Sequence, residues 1–141
     1  MTWAPSETQK TFYTLLSTDT ALQTLLGGTV SDPRVYDTPL DNNPYPYVVY
    51  NQRDSADRSN TTKAGWTFNI QLDVFYRSDE VGNKPVQAIM AEIDRLFHAQ
   101  DICIEGWNII SLRRSNAIIE TEDDNVTRHG TLVYDLLIGE A

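Results

Sequence analysis

The segment Trp66 to Arg77, W-T-F-N-I-Q-L-D-V-F-Y-R, decides the fold. Trp66, Phe68, Ile70, Leu72, Val74 and Tyr76 fall at every second position, with Thr67, Asn69, Gln71 and Asp73 between them. Side chains on a strand point alternately to opposite faces, so this spacing gathers six large apolar groups on one side only if the chain is extended. A helix would scatter them round its circumference. At about 3.3 Å per residue the run reaches roughly 40 Å, longer than an ordinary strand, and it belongs at the centre of a sheet. Phe75 breaks the pattern: an aromatic among the outward polar residues implies a second packed layer or contact with another chain.

Downstream, Asp79 to Asn83 reads as a turn and Pro85 falls in the first turn of a helix, where its missing N–H does no harm. Val86, Ile89, Met90, Ile93, Leu96 and Phe97 form an apolar stripe opposite Gln87, Glu92 and Arg95, so this helix lies across the sheet. Trp107 to Leu112 and Asn116 to Ile119 read as strand, with Arg113-Arg114-Ser115 a bulge or kink between them. Glu120 to Asn125 is an acidic turn. Leu132, Tyr134, Leu136 and Ile138 alternate with polar or smaller neighbours, giving a last strand antiparallel to the one before.

Upstream, Pro5-Ser6 followed by Gln9 predicts a capping box and a helix from about Ser6. Phe12, Leu15, Leu16, Leu22, Leu25 and Leu26 recur near helical spacing, and Asp19 is placed to end one helix and cap a second before Gly27-Gly28. Arg34-Val35-Tyr36 predicts a short strand, which Pro33 assigns to an edge. A stiff Pro- and Asn-containing connection leads to a strand at Tyr47-Val48-Val49-Tyr50. Gln52 to Gly65 then reads as a loop: it holds Arg53, Asp54, Asp57, Arg58 and Lys63 but no large apolar residue, so it has little to bury in an isolated subunit. Its flanking strands pair as a long hairpin whose tip projects. The expected architecture is one α+β domain over residues 1–141, a mainly antiparallel sheet with helices on one face.

Length and a hydrophobic content of 40% suit one domain with one core. No apolar run approaches the roughly 20 residues of a membrane helix, and the N-terminus lacks a basic segment followed by an apolar one, so the chain reads as soluble and without a targeting signal. The formal charge of -9 argues against holding nucleic acid by its phosphates, though not against DNA passing by. Phosphate-binding glycine loop, paired zinc cysteines and nucleophile elbow are all missing from the sequence. His98 ends the striped helix, where a cation suits the helix dipole. His129, in Arg128-His129-Gly130, is the stronger candidate for chemistry, set against the simpler reading of a polar residue entering a strand. Glu120, Glu122, Asp123 and Asp124 carry oxygen ligands, but not at the spacing of a calcium loop. Cys103, between Ile102 and Ile104, reads as a small core residue, and Trp3, Trp66 and Trp107 as core or interface residues.

Three segments together carry a family resemblance: Arg34-Val35-Tyr36-Asp37 leading through Pro39 to Tyr45-Pro46-Tyr47-Val48-Val49, the central strand, and Thr127-Arg128-His129-Gly130-Thr131-Leu132. The chain resembles the tail-completion, or tail-terminator, proteins of long-tailed bacteriophages and gene transfer agents over nearly its whole length. The resemblance implies a structural virion protein without cofactor, metal or catalytic residues. It implies a hexameric ring on the head-proximal end of the tail tube, which ends tube polymerisation and meets the head connector or stopper, while DNA passes through without specific binding. A ring needs a heterologous interface, for which Arg53, Asp54, Asp57, Arg58, Lys63 and Phe75 are the candidates. Glu120, Glu122, Asp123 and Asp124 are the candidate channel lining. The alternatives are a connector-side stopper or adaptor, and a small metal-dependent hydrolase using His129 with the acidic turn.

Overall fold

The computed structural model of the protein describes residues 3–38, 43–77, 82–98, 102–122, 124 and 126–141. Among these, the chain runs α1 (Ala4–Thr18), α2 (Thr20–Leu26), β1 (Val35–Tyr36), β2 (Tyr47–Asp57), β3 (Gly65–Arg77), α3 (Lys84–Phe97), β4 (Trp107–Thr121) and β5 (Thr127–Glu140). The strands form one sheet in the order β1-β2-β3-β5-β4. Only β1 and β2 pair in parallel; the other three ladders are antiparallel. The turn predicted at Asp79 to Asn83 and the connection through Pro39, Asp41 and Asn42 lie largely outside the described residues.

β3 takes the central place that its alternation demands. It is paired on both sides, Trp66 with Asp57 and Ile138, and Phe75 with Tyr47 and His129. Phe68, Ile70, Leu72 and Val74 are buried with Tyr50 of β2 and Leu132, Tyr134, Leu136 and Ile138 of β5. The six predicted residues of the α3 stripe are all buried against them. Phe97 links the layers, stacked 4.9 Å from Phe12 of α1 and 4.3 Å from Tyr134. Gly130 lets α3 come this close: a Cβ there would meet Met90 Sδ at 2.6 Å and Val86 Cγ2 at 3.2 Å. Asp94 then ties α3 to β5 and to the edge strand β4, accepting from Tyr134 Oη at 2.6 Å and pairing with Arg114 of β4 at 2.8 Å.

Asp19 separates α1 from α2 as its sequence position predicts, with its carboxylate accepting from Leu22 N at 2.9 Å, and Gly27 closes α2 in the left-handed region. Buried Gln23 of α2 reaches across to both sides. Its amide donates to Leu16 O, and its Oε1 accepts from Arg34 N just before β1.

Four local expectations are corrected. The helix starts at Ala4 rather than Ser6, because the Ser6 hydroxyl donates to Trp3 O and Gln9 donates to Asp37, leaving no capping box. The expected loop from Gln52 is strand as far as Asp57, because β3 supplies a ladder of hydrogen bonds that does not depend on apolar side chains. What is left, residues 58–64, is closed by Asn60 Oδ1, which accepts from the Thr62 and Lys63 amides. β4 is one strand of 15 residues with register shifts at Ile109/Ser111 and Arg114/Asn116, of which the sequence marked only the second. Cys103 is exposed, since Ile104 takes the buried position next to it.

Candidate functional site

All three helices contact one another or the inner side of the sheet, which leaves the other side of a four-strand plate uncovered among the described residues. The ladder registers organise this outer face into cross-strand rows. One row runs Tyr47, Phe75, His129 and Glu120 over β2, β3, β5 and β4. Six positions along β3, another runs Asp54, Asn69, Asp135 and Arg113 over the same strands. At about 3.3 Å per residue the two rows lie roughly 20 Å apart.

The row through Asn69 borders an open concavity of about 740 Å³ lined by Arg53, Arg58 and Arg113 together with Asp54, Asn69 and Asp135. A register shift between Gln52 and Asp54 gives β2 an extra residue at Arg53, so Arg53 and Asp54 both serve this side. Arg53 donates to Gln71 Oε1 at 2.7 Å, and Arg58 donates to the Thr67 hydroxyl at 3.4 Å, both neutral acceptors. The Arg113 guanidinium makes no hydrogen bond to the described residues, although its backbone is laddered to β5 opposite Asp135. None of the three makes an ion pair there, whereas Arg77, Arg95 and Arg114 all do.

The row through Phe75 is aromatic and acidic. Phe75 is stacked between Tyr47 at 5.1 Å and His129 at 4.4 Å, so the outward aromatic that the sequence marked is half-covered by its own sheet. His129 Nε2 lies 2.7 Å from Asp73 Oδ1 and its Nδ1 lies 3.3 Å from Glu122 Oε1. The hydrogen bond to Asp73 outweighs burial and, with the charges of Asp73, Glu122 and Glu120, raises the His129 pKa above its ordinary value. For Asp73 burial acts upward, but the hydrogen bonds from His129 and Gln71 win and hold the carboxyl below the usual range. Beyond His129 the β4–β5 turn begins later than the sequence suggested, since Glu120 and Thr121 still belong to β4. Asp124 accepts from Thr127 and pairs with Arg77 at 2.8 Å, which keeps its carboxyl well below the usual range. Asp123 lies outside the described residues.

Among the described residues this geometry does not assemble an active site. Both imidazole nitrogens face carboxylates, so neither is open to take a proton from a substrate. Among the described residues no group of three or more His, Cys, Asp and Glu side chains is placed to hold a metal ion. His98 caps α3, its Nδ1 2.7 Å from Asp94 O. Trp107 is buried, while Trp3 is 64% exposed and sits edge-on against Trp66 at 5.1 Å. Arg113 and Asp135 are not among the site residues that the sequence indicates, although Arg113 falls in the expected kink of β4. Their only signal is outward position on two strands, and that needs the bulges and the register to be known.

The chain is thus a small α+β protein with one face of its sheet uncovered among the described residues. The family model described as tail completion protein gp17 matches residues 10–139, and the chain belongs to that family. It is a family of structural tail proteins of the virion and not of enzymes. Tail completion protein gp17 of Bacillus phage SPP1 is 26% identical over 99 residues, 70% of this chain and 72% of that protein. Among solved structures, a chain in the virion of a native gene transfer agent particle aligns with a TM-score of 0.80 at 22% identity, covering 99% of both chains. The SPP1 gp17 structure aligns with a TM-score of 0.64 at 19% identity, covering 95% of this chain and 91% of that one.

Proposed function

We propose that the protein forms a ring, hexameric in its complete form, on the head-proximal end of a tail tube, where it ends polymerisation of the major tail-tube protein and offers a docking surface to the head connector or stopper. The family match across residues 10–139 carries this reading. The shape of the chain in a gene transfer agent virion, shared over 99% of the length, supports it. The uncovered plate provides an extensive surface for assembly, with Arg53, Asp54, Asp57, Arg58 and Lys63 at one end and Phe75 at the other. Asp57 and Lys63 belong to the end of β2 and the closed turn after it, so both are held rather than loose. A net charge of -9 per chain suits a channel through which DNA slides without being gripped.

The test is the mass of the purified protein by light scattering, alone and with assembled tail tubes, followed by negative-stain imaging. A six-fold ring, free or capping one end of the tubes, is the expected result. Binding to a portal-side protein with no affinity for tubes would move the chain to the connector and overturn tube termination.

A further inference from the structure

The basic concavity and the acidic tip lie on one face of one plate and cannot meet within a chain. β3 is laddered to β2 and β5 along its length, which fixes Asn69 and Phe75 six residues apart. The concavity brings together three of the eleven Lys and Arg residues of a chain with twenty Asp and Glu. At the other end, Glu120 is exposed on the edge strand and Glu122 is exposed on the turn beyond it. The Arg53 and Arg58 guanidinium groups hold only neutral acceptors, and that of Arg113 holds none among the described residues. Guanidinium forks of this kind match carboxylates in pairs.

Resting on the ring reading, we infer that the Arg53–Arg58–Arg113 concavity receives the Glu120–Glu122 tip of the next copy of this chain. The contact joins two different patches, so each copy offers one of each and the arrangement propagates head to tail until it closes. Asp54 and Asp135, which also border the concavity, keep it from being a general anion trap and favour an occupant that fits its shape. The same tip then meets a neighbour instead of lining the channel.

Two variants with reversed charge test this. Arg58→Glu/Arg113→Glu puts acid against acid, and Glu120→Lys/Glu122→Lys puts base against base. Each variant alone should assemble at least tenfold more weakly than wild type, in solution and on tail tubes, while melting as a folded chain. An equimolar mixture should recover assembly, because alternating copies satisfy every contact in a ring with an even number of subunits. Native mass spectrometry should then find three copies of each variant in a six-membered ring. Glu120→Lys alone serves if the double change at the tip lowers the melting temperature. Variants that assemble like wild type, or a folded pair that stays apart when mixed, would overturn the contact and leave the ring reading standing. A wild-type chain that neither self-associates nor caps tubes would defeat the ring, and this contact with it.

Discussion

On the inner face of β3, Phe68, Ile70, Leu72 and Val74 are each at most 2% exposed beneath the helices. One residue away in each case, Asn69, Gln71 and Asp73 are only half-buried and hold side-chain hydrogen bonds to Asp135, Arg53 and Thr131 on the neighbouring strands. The inner set removes apolar area from water, at roughly 25 cal/mol per Å², and so supplies the energy of folding. The outer set exchanges bonds to water for bonds between side chains, which is close to neutral for folding. The same strand thus separates stability from surface chemistry by parity alone, so that changes on the outer face would test the proposed assembly without unfolding the chain.

The largest effect expected from this contrast is on Leu72→Ala, which should cost about 2–5 kcal/mol in urea unfolding, while Gln71→Ala next to it stays within about 0.5 kcal/mol. Equal losses would mean that the outer face is packed as tightly as the inner. Asp94→Asn probes the polar tie between the layers and should cost about 1–3 kcal/mol, because Tyr134 and Arg114 both lose a charged acceptor. Burial raises the Asp94 pKa, but the hydrogen bonds from Tyr134 and Arg114 outweigh it and the net shift is downward from 3.8. Its contribution is therefore present above pH 3.8 and is lost as pH falls through the lower folded value. The Asn variant should flatten the acid limb of a plot of melting temperature against pH.

Gly130→Ala should cost about 1 kcal/mol, the low end of the range for overpacking, because flexible Met90 can swing aside. A neutral result would show α3 to be looser on the sheet than its contacts indicate. The smallest effect belongs to His129. Its pKa is raised in the folded chain, so its stabilising contribution is complete below the ordinary value of 6.5 and declines as pH rises through the folded value. His129→Gln should remove that decline between neutral and alkaline pH, with its amide still able to reach Asp73. An unchanged alkaline slope would assign the pH dependence to other groups.

The buried half of the molecule was legible because burial leaves a period in the sequence. The β3 alternation, the α3 stripe and Asp19 as break and cap each follow from local spacing and are found in place. Residues 52–57 were not legible as strand because Arg53, Asp54 and Ser55 bury little; they are extended because β3 lies beside them. The true role of Ser6 is not legible because the acceptor of its hydroxyl, Trp3 O, is a backbone atom that no pattern advertises. The family was legible from the order of its segments. The concavity was not, since Arg53 and Arg113 are 60 positions apart and meet only through two intervening strands and the bulges that aim them.

The asymmetry of the sheet has one more consequence, in the language of hydrogen exchange. β3 has a partner strand on each side, whereas β1 is two residues long and β4 is a fifteen-residue strand with two register shifts and, among the described residues, no strand along its outer edge. Amides of β3 should therefore exchange only through global unfolding, and protection should fall off towards β4, where opening is local. A neighbour that docks on the face of the plate would leave that outer edge exchanging as before, whereas one that adds a strand to β4 would slow its outward amides over many consecutive residues. If the copies form the proposed ring, the pattern of slowed amides on assembly would thus report how they are joined without an image of it.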